Sequence, residues 1–215
     1  MFDIEIIRLC FVIGLLAINS FADFKYRTIF GSDKIYASLG IAGFTLLMFD
    51  SFFADDVMWA LFMAVINITF VLFFWRIKML ASGDVLVMLL ISVTMPVWND
   101  WVLVVPASLI TAYIISGISG LFYNLFLNFE TLFRHESLFE KYSASIIKKI
   151  ITFGIAHKRR CWEKHTISIE KGTGFSLTSS PYDKEFSKID GQLVSPAIPL
   201  IPFVLISFGL ILLFF

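Results

Sequence analysis

Six apolar stretches dominate this chain and restrict what it can fold into. They occupy residues 4–22, 35–53, 57–75, 84 to 96 or 97, 101–127 and 193–215. A helix needs about 20 mainly apolar residues to cross the hydrocarbon of a bilayer. Only the fourth stretch falls well short, and a short span must tilt or thin the bilayer locally. Of the 215 residues, 58% are hydrophobic and 16% charged, with a mean hydropathy of +0.85. Soluble domains carry roughly a quarter charged residues, so a soluble globular fold is excluded. The expected fold is an all-α polytopic membrane protein with six transmembrane helices. Residues 1–127 hold the first five and 193–215 the sixth, with a small α+β cytoplasmic insert over 128–192. The first stretch has no small-residue cleavage site before Asp23, which fits a retained helix rather than a signal peptide.

The charges set an expected orientation. Sixteen of the seventeen Lys and Arg residues fall in the links after the first, third and fifth stretches. Arg8 is the exception, on the side that also carries Asp3, Glu5, Asp50, Asp55, Asp56 and Asp100. The positive-inside rule places the three basic links in the cytoplasm and both termini outside. Trp59, Trp98 and Trp101 lie near the expected outer interface, where aromatic belts form.

Residues 128–192 are the one sizeable polar segment. In "SASIIKKIITFGIAHKRRCWEK", isoleucine pairs alternate with basic residues at helical spacing, as in an amphipathic helix resting on an anionic leaflet. Ile167, Ile169, Phe175 and Leu177 around Gly172 and Gly174 read as a β-hairpin. His157, Cys161 and His165 recur every four residues, a spacing that places three metal ligands along one helix face. Lys158, Arg159, Arg160 and Lys164 crowd the same stretch and oppose a cation, so no metal is expected. Cys10 and Cys161 have no paired spacing and give neither a disulfide framework nor a zinc pattern. No cofactor and no nucleic acid is implied; the lipid bilayer is an implied partner.

Two carboxylates share an address. Asp23 sits at the cytoplasmic end of the first stretch and Asp84 at the cytoplasmic start of the fourth, sixty-one residues apart. A carboxylate is costly near hydrocarbon. Two close acids cannot both ionise readily and share a proton. One then acts as general base on a water while the other donates to a carbonyl oxygen, which hydrolyses a peptide bond without a metal. Gly83, beside Ser82, would let an extended substrate backbone approach Asp84 closely. The plainer reading is that Asp84 stabilises a helix N-terminus. Asp33 lies on the same face.

The motifs around these acids resemble a known family. "ASGDV" is similar to the Gly-x-Gly-Asp motif of type IV prepilin peptidases and archaeal preflagellin peptidases, which are membrane aspartyl proteases. "DFKYRTI" resembles that family's other motif, with Asp23, Lys25, Arg27 and Ile29 matching in order. Ala81 stands where the first glycine is expected, and Phe30 and Gly31 replace a Pro-Asn pair. The resemblance covers most of the chain and the 128–192 segment least. It implies an endopeptidase with Asp23 and Asp84 as the catalytic dyad and Ser82, Gly83, Lys25 and Arg27 near the substrate. The implied partners are pilin-like or archaellin-like precursors, which lose a basic leader at the cytoplasmic membrane face. Asp33, Glu130 or Glu136 would attract that leader's lysines. Long bacterial members also methylate the product and carry a cysteine-rich segment that this chain lacks. Cleavage alone is therefore expected, in the short form closer to the archaeal members.

Pro196, Pro199 and Pro202 enter the sixth stretch, where prolines loosen the first helical turns. Pro196-Ala197-Ile198 is similar to the Pro-Ala-Leu motif that presenilin-type proteases use as a substrate-docking strand. A different class of function uses the same acids without catalysis, in a membrane assembly subunit or a small proton-coupled transporter. Transport needs polar groups near the midplane, and the chain offers Asn19, Asn67, Thr69 and some serines.

Overall fold

The computed structural model describes residues 4–53, 57–96, 104–171, 174–175 and 186–214. Its helices are α1 (Ile4–Tyr26), α2 (Asp33–Phe53), α3 (Val57–Arg76), α4 (Ser82–Thr94), α5 (Val104–Phe133), α6 (Ile146–Ile155) and α7 (Ile201–Phe214). Each of the six apolar stretches therefore contains a helix, although the sixth becomes helical only from Ile201. Three helices, α1, α3 and α5, are long and apolar enough to cross a membrane, whereas α4 and α7 are shorter apolar helices of 13 and 14 residues. The chain has the character of a membrane protein. It divides into two compact units, Met1–Ile114 with Pro199–Phe215, and Ile115–Ile198.

In the first unit α4 is the buried element. Val85, Val87, Met88, Leu90 and Ile91 are almost wholly covered, and α1, α2 and α3 all pack against it. Its 13 residues match the short fourth stretch expected from the sequence and fall below the about 20 residues of a full crossing. Pro96 stops it, because proline disfavours helical geometry in the residue before it; Met95 has left helical angles. Gly43 of α2 makes the close packing possible, since a Cβ there would sit 2.0 Å from Thr94 Oγ1. Outside this core the helices present Ile6, Phe21, Phe24, Ile41, Met58, Phe62, Val65 and Phe73. Apolar residues on the outside and polar ones within suit a lipid surround.

The second unit contains the later part of α5, α6 and five short strands. The boundary inside α5 lies earlier than residue 128, because Asn124 and Asn128 bind the insert. Asn124 Nδ2 donates to Gly154 O at 3.1 Å, and Asn128 Nδ2 to Phe153 O at 2.8 Å and Ala156 O at 2.7 Å. These are carbonyls that a helix C-terminus leaves without intrahelical partners. The expected amphipathic helix ends at Ile155, well short of Lys164. The chain then becomes extended as β1 (His157–Lys158) and β2 (Thr166–Ser168). Both pair antiparallel with β5 (Leu193–Pro196), which lies between them. The sixth apolar stretch therefore opens as a strand, and its helix begins at Ile201. Prolines at 196, 199 and 202 remove the N–H groups a continuous helix needs there. β3 (Glu170–Lys171) and β4 (Gly174–Phe175) form a short hairpin, but Ile167 of the expected one pairs instead with Ser195 of β5; Gly172 and Leu177 lie outside the described residues.

His157 anchors this unit. It is completely buried, with Nδ1 2.7 Å from Asn124 Oδ1 and Nε2 2.6 Å from Glu163 Oε1. Glu163 also accepts from Tyr123 Oη at 2.8 Å and from Arg160 N at 2.7 Å. Burial opposes ionisation of Glu163, but the bonds from His157, Arg160 and Tyr123 outweigh it and hold the carboxyl below its ordinary value. A depressed folded-state value adds stability above the unfolded-state pKa and loses it as pH falls through the folded one. We expect amide-exchange protection of β1 and the end of α6 to hold at neutral pH and decline below roughly pH 4.5. Glu163→Gln should lower that protection at pH 7 by about 1–3 kcal/mol and flatten its acid dependence.

Candidate active site

Helices α1 and α4 run antiparallel and are tied at both ends. At one end buried Arg8 donates from Nε to Thr94 O at 2.8 Å. At the other end lie Asp23 and Asp84, each only 9% exposed. The two carboxylates interact electrostatically. Asp23 and Asp84 thus lie at the same end of the α1–α4 pair.

Asp23 is held from two further directions. Its Oδ2 accepts the Ile201 N–H at 3.0 Å, which places the carboxylate at the positive end of the α7 dipole. Arg27, at a left-handed φ of 56°, turns the chain after α1. Its own N–H returns to Asp23 O at 3.0 Å, its Nη1 reaches the same oxygen at 3.3 Å, and its guanidinium attracts the Asp23 carboxylate. Asp84 occupies the third position of α4 and accepts from Ala81 N at 3.3 Å. That is one half of a capping box; alanine has no side-chain oxygen to supply the other.

Gly83 has a different part from the one its sequence suggested. A Cβ at that position would stand 2.9 Å from Ile29 Cγ2. The space beside the glycine is filled by the chain's own Ile29, from the link after α1. Gly83 therefore lets the two motifs approach each other, rather than admitting a substrate backbone at that point. Ser82 is exposed at the first turn of α4. Lys25 is also exposed, and its Nζ sits over the rings of Phe21 at 5.6 Å and Tyr26 at 4.9 Å, which engages the cation on α1's own aromatic surface. Pro196 belongs to the other unit, where it ends β5 opposite Thr166.

Two partners were missed in the sequence. Asn19 is buried four residues before Asp23, so both lie on one face of α1. Its Oδ1 accepts from Phe30 N at 2.9 Å and from the Tyr36 hydroxyl, while Nδ2 donates to Leu15 O. It fixes the link that carries Arg27 and Ile29. The Ile201 amide had a fainter signal. Leu200 offers no side-chain acceptor to the start of α7, so an acceptor must come from elsewhere. The His157, Cys161 and His165 spacing does not form a helical face, because the segment is strand and turn. Among the described residues no cluster of three His, Cys, Asp or Glu side chains is placed to hold a metal ion.

Comparison with protein-family models, curated proteins and solved structures gave no match. The geometry therefore carries the functional reading. Two buried, mutually repelling carboxylates can share a proton, one as base and one as acid. Gly83→Ala should destabilise the protein by about 1–3 kcal/mol through overpacking, read as a lower thermal midpoint in detergent. Adding Ile29→Ala should recover most of that loss, since it removes the opposing branch; no recovery would break the assigned contact.

Proposed function

We propose that the protein is a membrane aspartyl endopeptidase that removes the basic leader from pilin-like or archaellin-like precursors. The carrying observation is the burial of Asp23 and Asp84 within electrostatic reach of each other at one end of the α1–α4 pair. In this reading the six apolar helices form the membrane body and the basic links face the cytoplasm. Arg27 and the start of α7 favour negative charge on Asp23, which takes a proton from the attacking water. Asp84 holds the shared proton and donates it to the scissile carbonyl oxygen. The water oxygen adds to the carbonyl carbon; as the C–N bond breaks, Asp23 passes the proton it took to the leaving nitrogen and Asp84 recovers one from the collapsing diol. The residue resemblance supplies the substrate class. Cleavage without methylation is part of the proposal.

A second reading has its own observation. Asp23 accepts an N–H at the start of α7, and Asp84 accepts one at the start of α4. Both acids then serve as helix caps in a non-catalytic assembly subunit or small proton-coupled transporter. Co-expression with a pilin-like precursor separates the two. Wild type is expected to shorten the precursor by its leader mass. Asp23→Asn and Asp84→Asn should each reduce trimming by about 10²–10⁴-fold at unchanged membrane abundance. Trimming that persists in both variants would remove the aspartyl mechanism. No trimming of any precursor by wild type would favour the capping reading.

A further inference from the structure

The second unit carries an apolar face that its own core does not use. Five of the ten residues of α6 are isoleucines facing outward: Ile146 is 77% exposed, Ile147 71%, Ile150 67%, Ile151 47% and Ile155 41%. The small core of this unit is Ala156, Ile169 and Leu193 with Phe139, Tyr142 and Ala144. None of the five isoleucines belongs to it. At about 100° per residue they span an arc of roughly 180°. Lys148 falls about 20° beyond one edge and Lys149 about 60° beyond the other.

The helix cannot roll to hide this face. Ser145 accepts the Lys148 N–H at 3.4 Å at its start. Asn124 and Asn128 hold its last carbonyls, and Thr152 on the opposite side is fully buried. Its seat on α5 is also fixed. Gly154 packs against Leu121, where a Cβ would stand 3.0 Å from Cδ1, and the Phe153 ring meets Phe129 edge-on at 5.6 Å. Phe122, Phe126, Phe129 and Phe133 continue an exposed apolar stripe along the same stretch of α5.

We propose that α6 lies in the headgroup–acyl boundary of an anionic leaflet, its isoleucine face in the lipid and its two lysines at the phosphates. Charge selects this occupant. Residues 141–162 contain Lys141, Lys148, Lys149, Lys158, Arg159 and Arg160 and no Asp or Glu; Lys158, Arg159 and Arg160 pair with Glu136, Asp190 and Glu130, so the basic edges of α6 itself are Lys148 and Lys149. Lysine stems can lie along apolar surface while the ammonium reaches the headgroups. A helix with a wide apolar face and basic edges binds anionic interfaces by both terms together. The assignment uses only the membrane character of the chain and does not depend on peptidase activity.

The test is depth measurement on the full chain, with Cys10→Ser and Cys161→Ser removing the two native thiols. Ile147→Cys, Ile150→Cys and, as control, Lys141→Cys each receive a fluorescent label. The proteins are reconstituted into vesicles of phosphatidylcholine and phosphatidylglycerol. Brominated acyl chains should quench the labels at 147 and 150 at least about threefold more than the label at 141, with iodide showing the reverse order. Lys148→Gln with Lys149→Gln, or vesicles of phosphatidylcholine alone, should raise iodide access at 147 and 150. Equal iodide access at all three sites overturns the proposal. Protection from both quenchers, with disulfide cross-linking between copies at 150, overturns it in favour of a protein contact. Unchanged depth without the lysines or the anionic lipid overturns the charge-selected interface.

Discussion

A thirteen-residue helix enclosed by its neighbours is the constraint on which the first unit depends. α4 is too short to cross a bilayer by itself, and its side chains are buried on nearly every face. Its end groups therefore cannot rely on water. A backbone N–H or C=O left unpaired in apolar surroundings costs several kcal/mol. Arg8 answers this at Thr94, Asn67 at Pro96 O at 2.9 Å, and Asp84 at Ala81. Ser92 and Thr94 turn their hydroxyls back to Met88 O and Leu90 O. Arg8 and Asn67 thus complete the end of a helix other than their own, while Asp84, Ser92 and Thr94 serve α4 itself.

The same solution recurs in the second unit, where Asn124 and Asn128 of α5 finish α6. It also explains Asp23, whose carboxylate reaches the first N–H of α7 across 178 positions of sequence. A carboxylate is the strongest acceptor available for a helix start, since it meets both the unpaired donors and the positive end of the dipole. The Ile201 bond holds the Asp23 carboxylate in one orientation.

The link after α1 joins these features. Arg27 turns it through a left-handed residue, Asn19 holds Phe30, and Ile29 lies against Gly83. One short segment sets the distance between α1 and the start of α4, and with it the relation of the two acids. The glycine's value is steric, measured against one isoleucine branch.

The sequence by itself determined the helical segments, because continuous apolar runs of this length satisfy their backbone groups only as helices. Through the alternation of basic links it also gave the expectation that Asp23 and Asp84 share a level. It marked residues 143–164 as amphipathic through the period of their isoleucines, although the helix ends at Ile155. Tertiary structure decided the rest. Only packing showed that α4 is a core helix, because length alone does not distinguish a short span from a buried one. Only pairing showed Leu193–Pro196 as the central strand of a sheet, since an apolar run of four residues fits a helix start equally well. Only the fold revealed that Ile29 fills the space beside Gly83 and that Ile201 gives its N–H to Asp23. A main-chain donor leaves at most a faint mark in the sequence, and its partner is found only when distant helices are brought together.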